Sequence, residues 1–222
     1  MRKRYSDAFK AEVVLFQSER IHLDSGHFGQ KWIWCTKEFS VQYFIPQGRI
    51  MRIADSVKPE AAVQVLDMLK SAGLHVTLDG GWGVDALLGR ITRAHEDLDL
   101  VVPLHECEQV IALLGRSGCR IEEDEPGRVV MAHADLGRVD LHTVTFDALG
   151  NAVQVYPAAP PVVYAHHGFV EGSILGVPVP CISAEVQVSS RLGYERTEKH
   201  RRDVVALCES FRLEVPSEWV DA

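Results

Sequence analysis

Residues 78–102 read LDGGWGVDALLGRITRAHEDLDLVV, and this stretch decides how the rest of the chain is organised. Its end, Leu98–Val102, is aliphatic apart from Asp99 and reads as a strand. Side chains two apart on a strand share a face, roughly 6.5–7 Å apart. Asp97 and Asp99 therefore look one way, and Leu98 and Leu100 turn into the core. Upstream, Leu74–Leu78 reads as a short strand. Asp79-Gly80-Gly81-Trp82-Gly83 then leads into a short helix over Val84–Leu88 that stops at Gly89. Without side chains, Gly80 and Gly81 would let backbone N–H groups approach an anion such as phosphate, at a helix N-terminus already favourable to negative charge.

Working outward, Pro59–Ser71 carries Ala62, Val63, Val65, Leu66 and Leu69 at near-helical spacing. Glu106–Leu114 reads as a helix, with strands near Arg120–Glu122, Arg128–His133 and Arg138–Thr145. In the last of these Val139 and Leu141 are core residues, which puts Asp140 and His142 on the opposite face. If that strand neighbours the one carrying Asp97 and Asp99, three carboxylates converge. Such anions repel unless cations lie between them, and hard oxygen ligands suit Mg²⁺. Phosphate on one side and metal on the other make a phosphoryl- or nucleotidyl-transfer site.

Tyr156–Pro180 holds five of the ten prolines and reads as loops, with strand pieces around Ser173–Leu175 and Val177–Cys181. Ser183 can cap a helix, and Glu195–Phe211 supplies another that buries Val204, Val205, Leu207 and Cys208. The expected class is α+β, a small mixed β-sheet flanked by helices.

The 222 residues are 46% hydrophobic and 24% charged, which describes an ordinary globular protein and excludes wholesale disorder. Residues 1–50 carry 8 basic and 5 acidic residues and no sustained periodicity, so they are expected to form an N-terminal extension of uncertain structure. Residues 51–222 form the main domain with its C-terminal helices, and are acidic enough to give the chain a net charge of -8. That balance argues against broad nucleic-acid binding. No apolar run reaches about 18 residues, so no membrane span is expected. The five widely spaced cysteines include no CxxC pair and fit a reduced, cytoplasmic setting. Neither a GxGxxG nor a GxxxxGK[ST] fingerprint occurs, which disfavours Rossmann and P-loop enzymes.

The segment from Leu78 to Val102, with GGW followed by TRAHEDLD, closely resembles the signature of antibiotic nucleotidyltransferases of the lincosamide and aminoglycoside-2'' adenylyltransferase type, small members of the polymerase-β-like superfamily. The resemblance continues through RVDLHTVTFD, GSILGVPVPCISAEVQ and GYERTEKHRRDVVALCESF, covering most of 70–215 and none of 1–50. It implies a polymerase-β-like nucleotidyltransferase fold, with Asp97 and Asp99 as Mg²⁺ ligands and Asp140 as a third carboxylate, ligand or general base. Gly80 and Gly81 would cradle the ATP phosphates, and Arg93 and Lys199 are candidates for triphosphate contacts. The implied reaction transfers AMP from ATP to a hydroxyl of a small antibiotic-like molecule and releases pyrophosphate. His95 is a candidate support for the Asp97 loop, while Tyr194 and Glu185 are candidates to line an acceptor pocket. Two other readings compete. One is a DxD metal-dependent glycosyltransferase, which needs neither Gly80-Gly81 nor Asp140. The other is a nucleotide-binding, antitoxin-like protein without activity, against which the intact Asp97, Asp99 and Asp140 argue. An apolar C-terminal region would permit a homodimer.

Overall fold

A computed structural model describes residues 42–44, 50–52, 56–157, 159–193 and 195–220. Most of the expected extension therefore lies outside the described residues. Two short strands stand at its end, β1 (Gln42–Phe44) and β2 (Ile50–Arg52), paired antiparallel.

The main body is built on a nine-stranded mixed sheet. Its centre is β4 (Asp97–Pro103) lying parallel to β7 (Gly137–Phe146). Beyond β4 come β3 (Thr77–Leu78) and the hairpin of β10 (Phe169–Ile174) and β11 (Val177–Ile182). Beyond β7 come β6 (Arg128–His133) and β5 (Arg120–Glu125), and the short β8 (Ala152–Gln154) and β9 (Val162–Tyr164) extend from the far end of β7. Helix α1 (Pro59–Ser71) and helix α3 (Cys107–Arg116) pack into one core with Leu98, Leu100, Val102, Val139 and Leu141. Helix α2 (Gly80–Leu88) joins α4 (Ala184–Ser190), α5 (Glu198–Phe211) and α6 (Ser217–Val220) around Val84, Leu207 and Trp219.

The central strands obey the expected alternation. Leu98 and Leu100 are fully buried, whereas Asp97 and Asp99 are half-buried on the other face. That second face is polar only where the strands begin. Farther along it Val101 and Val144 pack with Tyr164 and Ile182 in a separate apolar cluster. The carboxylates thus occupy one end of an otherwise apolar sheet surface.

Three local expectations are corrected. The strand before the diglycine is two residues long, Thr77–Leu78, and helix α2 begins at Gly80. Asp79 caps it, its side chain accepting the Gly80 N–H at 2.8 Å, so the cap and not the first apolar residue sets the start. The strand pieces expected around Ser173–Leu175 and Val177–Cys181 belong to a hairpin of two six-residue strands, β10–β11, with Pro178 and Pro180 inside β11. β11 meets β3 only at Cys181, so the missing proline N–H groups cost no ladder bond on that side. Val205 is half-buried, and Asp203 takes a buried position on α5 beside Val204.

Candidate active site

The parallel pairing of β4 and β7 sets Asp99 directly across from Asp140, with Asp97 across from Arg138. His142, two residues beyond Asp140, projects from the same face. The three strand carboxylates expected to converge are thereby brought to one patch, and Asp97, Asp99 and His142 line a cavity of about 190 Å³. Asp79, Gly80, Gly81, Arg93 and Lys199 border the same cavity.

Helix α2 reaches this patch because Gly80 and Gly81 have no side chains. Gly80 has φ +57°, and a Cβ there would lie 1.9 Å from Asp99 Oδ2. At Gly81 a Cβ would lie 2.3 Å from His95 Nδ1 and 2.7 Å from an Arg93 guanidinium nitrogen. The diglycine lets the helix N-terminus come down onto a carboxylate, an imidazole and a guanidinium at once. The first turn leaves backbone N–H groups without intrahelical acceptors beside the cavity, a setting that favours anions.

The carboxylates differ in their partners. Asp140, 4% exposed, is gripped by Arg128 of β6: Nε donates to Oδ2 at 2.8 Å and a terminal nitrogen donates to the same oxygen at 2.6 Å. Burial opposes its ionisation, but His142 and Arg128 together hold it below the ordinary carboxylate value. Asp79 is likewise held low against burial, by His142 and by the Gly80 N–H, and the Tyr164 hydroxyl donates to its Oδ2 at 3.0 Å. Asp99 has no such clamp. Burial, and then the Asp97 carboxylate, push it up to about 7. Asp97 is raised by burial, Asp140 and Glu96, while Lys199 and His142 pull it back.

His142 stands among these anions. Its Nε2 is 3.6 Å from Asp99 Oδ1 and 3.6 Å from Asp140 Oδ1, and its Nδ1 is 3.7 Å from Asp79 Oδ2. Burial disfavours the imidazolium, yet Asp140, Asp79 and Asp99 push its pKa up to about 10. A patch with four aspartates and an imidazole drawn between them has the charge to bind a divalent cation. One donor atom each from Asp99, Asp140 and His142 lie within 4.8 Å of one another, so these residues fit such an ion.

Cations line the opposite wall. Asp203 of α5, 3% exposed, accepts from an Arg93 terminal nitrogen at 2.9 Å and has the Arg191 guanidinium 3.8 Å away. Arg93 is thus in place at the cavity but pinned to α5, and Lys199 projects from the first turn of that helix. His95 does not bond the Asp97 loop through its ring: its Nε2–H donates to the fully buried Asp85 at 2.6 Å, and the ring packs on Trp82 at 4.7 Å. Asp85 also accepts from the Thr92 backbone N–H at 3.1 Å, so this network shapes the loop leading to β4. Glu185 is exposed on α4 and does not border the cavity, and Tyr194 lies outside the described residues.

Sequence reasoning passed over Asp79, Arg128, Tyr164, Arg191 and Asp203. Asp79 was within reach, since an Asp before a diglycine and a helix is a capping signal. The others act between separate elements, from 12 residues apart for Arg128 and Asp140 to 110 for Arg93 and Asp203, and carry no local pattern.

Residues 61–207 match the aminoglycoside-2''-adenylyltransferase family. The chain belongs to that family. It is a nucleotidyltransferase of the adenylyltransferase type, which sets aside the glycosyltransferase and inactive antitoxin-like readings. A lincosamide resistance protein of Staphylococcus haemolyticus is 30% identical over 151 residues, spanning 68% of this chain and 94% of that protein. A 2''-aminoglycoside nucleotidyltransferase of Klebsiella pneumoniae is 29% identical over 122 residues, 55% of this chain and 66% of its own length. Among solved structures, the lincomycin-bound lincosamide antibiotic adenylyltransferase LnuA superposes with a TM-score of 0.62 at 31% identity, covering 68% of this chain and 97% of that one. ANT(2'')-Ia in complex with adenylyl-2''-tobramycin shares the fold, with a TM-score of 0.54 at 23% identity over 69% of this chain and 90% of that one. Among the described residues no helix is long and apolar enough to cross a membrane.

Proposed function

We propose that this adenylyltransferase, with Mg²⁺, transfers AMP from ATP to a hydroxyl of a lincosamide or aminoglycoside antibiotic and releases pyrophosphate. The observation that carries the reading is the seating of the α2 N-terminus, through Gly80, against the carboxylate of Asp99, which stands across from Asp140. Phosphate-binding N–H groups and metal-binding carboxylates then share one cavity.

Asp97, Asp99 and Asp140 hold the divalent cation in this reading. When bound, the cation neutralises phosphate charge and polarises the α-phosphorus toward attack. Gly80 and Gly81 let the α2 N-terminus receive the triphosphate, and Arg93 and Lys199 on the facing wall offset the charge of the leaving pyrophosphate. The acceptor hydroxyl approaches in line with the phosphorus and gives its proton to a carboxylate within about 3 Å, directly or through one water. The antibiotic class is supported by the relatives: one is a lincosamide resistance protein, and a solved structure holds lincomycin.

The test is mass spectrometry of small-molecule products after incubation with ATP, Mg²⁺ and a panel of lincosamides and aminoglycosides, with Asp99→Asn alongside. A product heavier by one AMP unit, absent with the variant, is expected. No adduct on any compound, while the protein still binds ATP, would reject the antibiotic acceptor and send the search to other hydroxyl compounds.

A further inference from the structure

The reading from sequence counted only oxygen donors, whereas the arrangement around His142 has the form of a ligating histidine. Its Nε2 faces Asp99 Oδ1 and Asp140 Oδ1, each 3.6 Å away. Two neighbouring ligands of one ion, each about 2.1 Å from it, stand roughly 3–3.5 Å apart, so a small inward movement would bring all three donors onto one ion. Arg128 anchors the Asp140 carboxylate chiefly through Oδ2, at 2.6 and 2.8 Å, with a longer 3.1 Å bond from Nε to Oδ1, the oxygen that faces the imidazole.

The other ring nitrogen is oriented as well. His142 Nδ1 faces Asp79 Oδ2 at 3.7 Å, and Asp79 is itself fixed by the Gly80 N–H and the Tyr164 hydroxyl. Histidines that bind metal regularly turn their second nitrogen to a carboxylate in this way, which fixes the ring and strengthens the donor. His142 thus has two potential ligand partners on one side and an orienting carboxylate on the other.

We propose that His142 is a metal ligand, binding through Nε2 beside Asp99 and Asp140, and that this mixed nitrogen–oxygen donor set favours a transition ion of the Mn²⁺ class over Mg²⁺. The inference rests on the proposed function for the place of the ion and deepens it by adding a nitrogen donor to its carboxylates. An imidazole strengthens binding of first-row transition ions, whereas Mg²⁺ keeps to oxygen ligands and its own water. The nitrogen lone pair that ligates the ion is freed by release of its proton to solvent, so binding is accompanied by proton release.

The experiment uses the full chain with Mn²⁺ alone, without nucleotide or acceptor. Pulsed electron paramagnetic resonance of bound Mn²⁺ is expected to show modulation from a directly bonded imidazole nitrogen, changing to the ¹⁵N pattern when histidine is ¹⁵N-labelled. In His142→Asn the modulation disappears and Mn²⁺ affinity falls about tenfold or more, while Mg²⁺ affinity shifts by less than about threefold. Bound Mn²⁺ without nitrogen modulation, or modulation persisting in folded His142→Asn, overturns the proposal. Should that variant not fold, anomalous diffraction from wild-type crystals with Mn²⁺ decides. An ion bonded to Nε2 supports the assignment, and an ion held by carboxylates alone overturns it. The outcomes separate from those of the proposed function, because a missing nitrogen signal leaves AMP transfer standing, and a missing AMP adduct leaves the nitrogen signal standing.

Discussion

The cavity has two walls of opposite character, and they are built differently. The sheet wall carries Asp97, Asp99 and Asp140 on adjacent parallel strands, with Asp79 at the cap of α2. Aspartate has a short side chain, so the hydrogen-bond register of β4 and β7 nearly fixes where each carboxylate stands. The helical wall carries Arg191 and Lys199 at the end of α4 and the start of α5, with Arg93 drawn in from the loop before β4. These long side chains have many rotamers, and one buried carboxylate, Asp203, gathers two of them. The sheet wall supplies placement and the helical wall supplies reach. A reacting phosphorus needs the first, and a triphosphate tail of varied conformation needs the second.

The contrast can be broken most severely at Asp99. Asp99→Asn is expected to lower adenylyl transfer about 10³-fold, measured as turnover at saturating ATP. Its effect on stability has the opposite sign. The Asp99 carboxyl titrates near 7 when folded, against about 3.9 when unfolded, so the folded chain keeps the proton longer and loses stability as pH rises through that window. The metal-free variant lacks that loss, so its Tm at pH 8 in EDTA should exceed that of the wild type. Equal Tm values would mean that Asp99 is already neutralised by a partner.

Next comes Asp203→Asn, which leaves Arg93 and Arg191 without their shared counter-charge. Urea denaturation should show a loss of about 3 kcal/mol. An unchanged midpoint would mean that the helical wall does not depend on Asp203. Gly80→Ala tests where the walls meet: its Cβ would strike Asp99 Oδ2 and its backbone is held at φ +57°. A stability loss of about 2 kcal/mol is expected, with weaker ATP binding by calorimetry. The smallest effect is at Lys199, exposed at the cavity edge. Lys199→Met should raise KM for ATP about fivefold, near 1 kcal/mol, and leave kcat almost unchanged. A fall in kcat instead would place Lys199 nearer the reacting phosphorus than the helical wall suggests.

Much of the sheet wall was legible in the sequence. The Asp97-Leu98-Asp99-Leu100 alternation and the Arg138-Val139-Asp140-Leu141-His142 run have a period of two, and burial of Leu98, Val139 and Leu141 turns the polar partners outward. The helical wall was hardly legible. Arg93 and Lys199 stood out as cations near the motif, but Arg191 and Asp203 follow the helical period of α4 and α5 without any mark of function. Strands β8 and β9, three residues each, lacked enough alternation to be seen, whereas β11 was legible as a strand piece at Val177–Cys181 despite its prolines.

By itself the sequence determined which residues face the same way within each strand, that a diglycine follows the strand ending at Leu78, and which family the signature belongs to. Those are local properties, set by side-chain alternation and by backbone freedom at glycine over a few residues. Only the tertiary structure decided that Asp99 stands across from Asp140, that Arg128 grips Asp140 beside His142, and that Asp203 ties Arg93 to α5. Each of these joins separate elements, and the free energy that selects them is the burial of the apolar faces of those elements against one another. That packing fixes how the elements meet, and the polar groups they bring together depend on where it sets them.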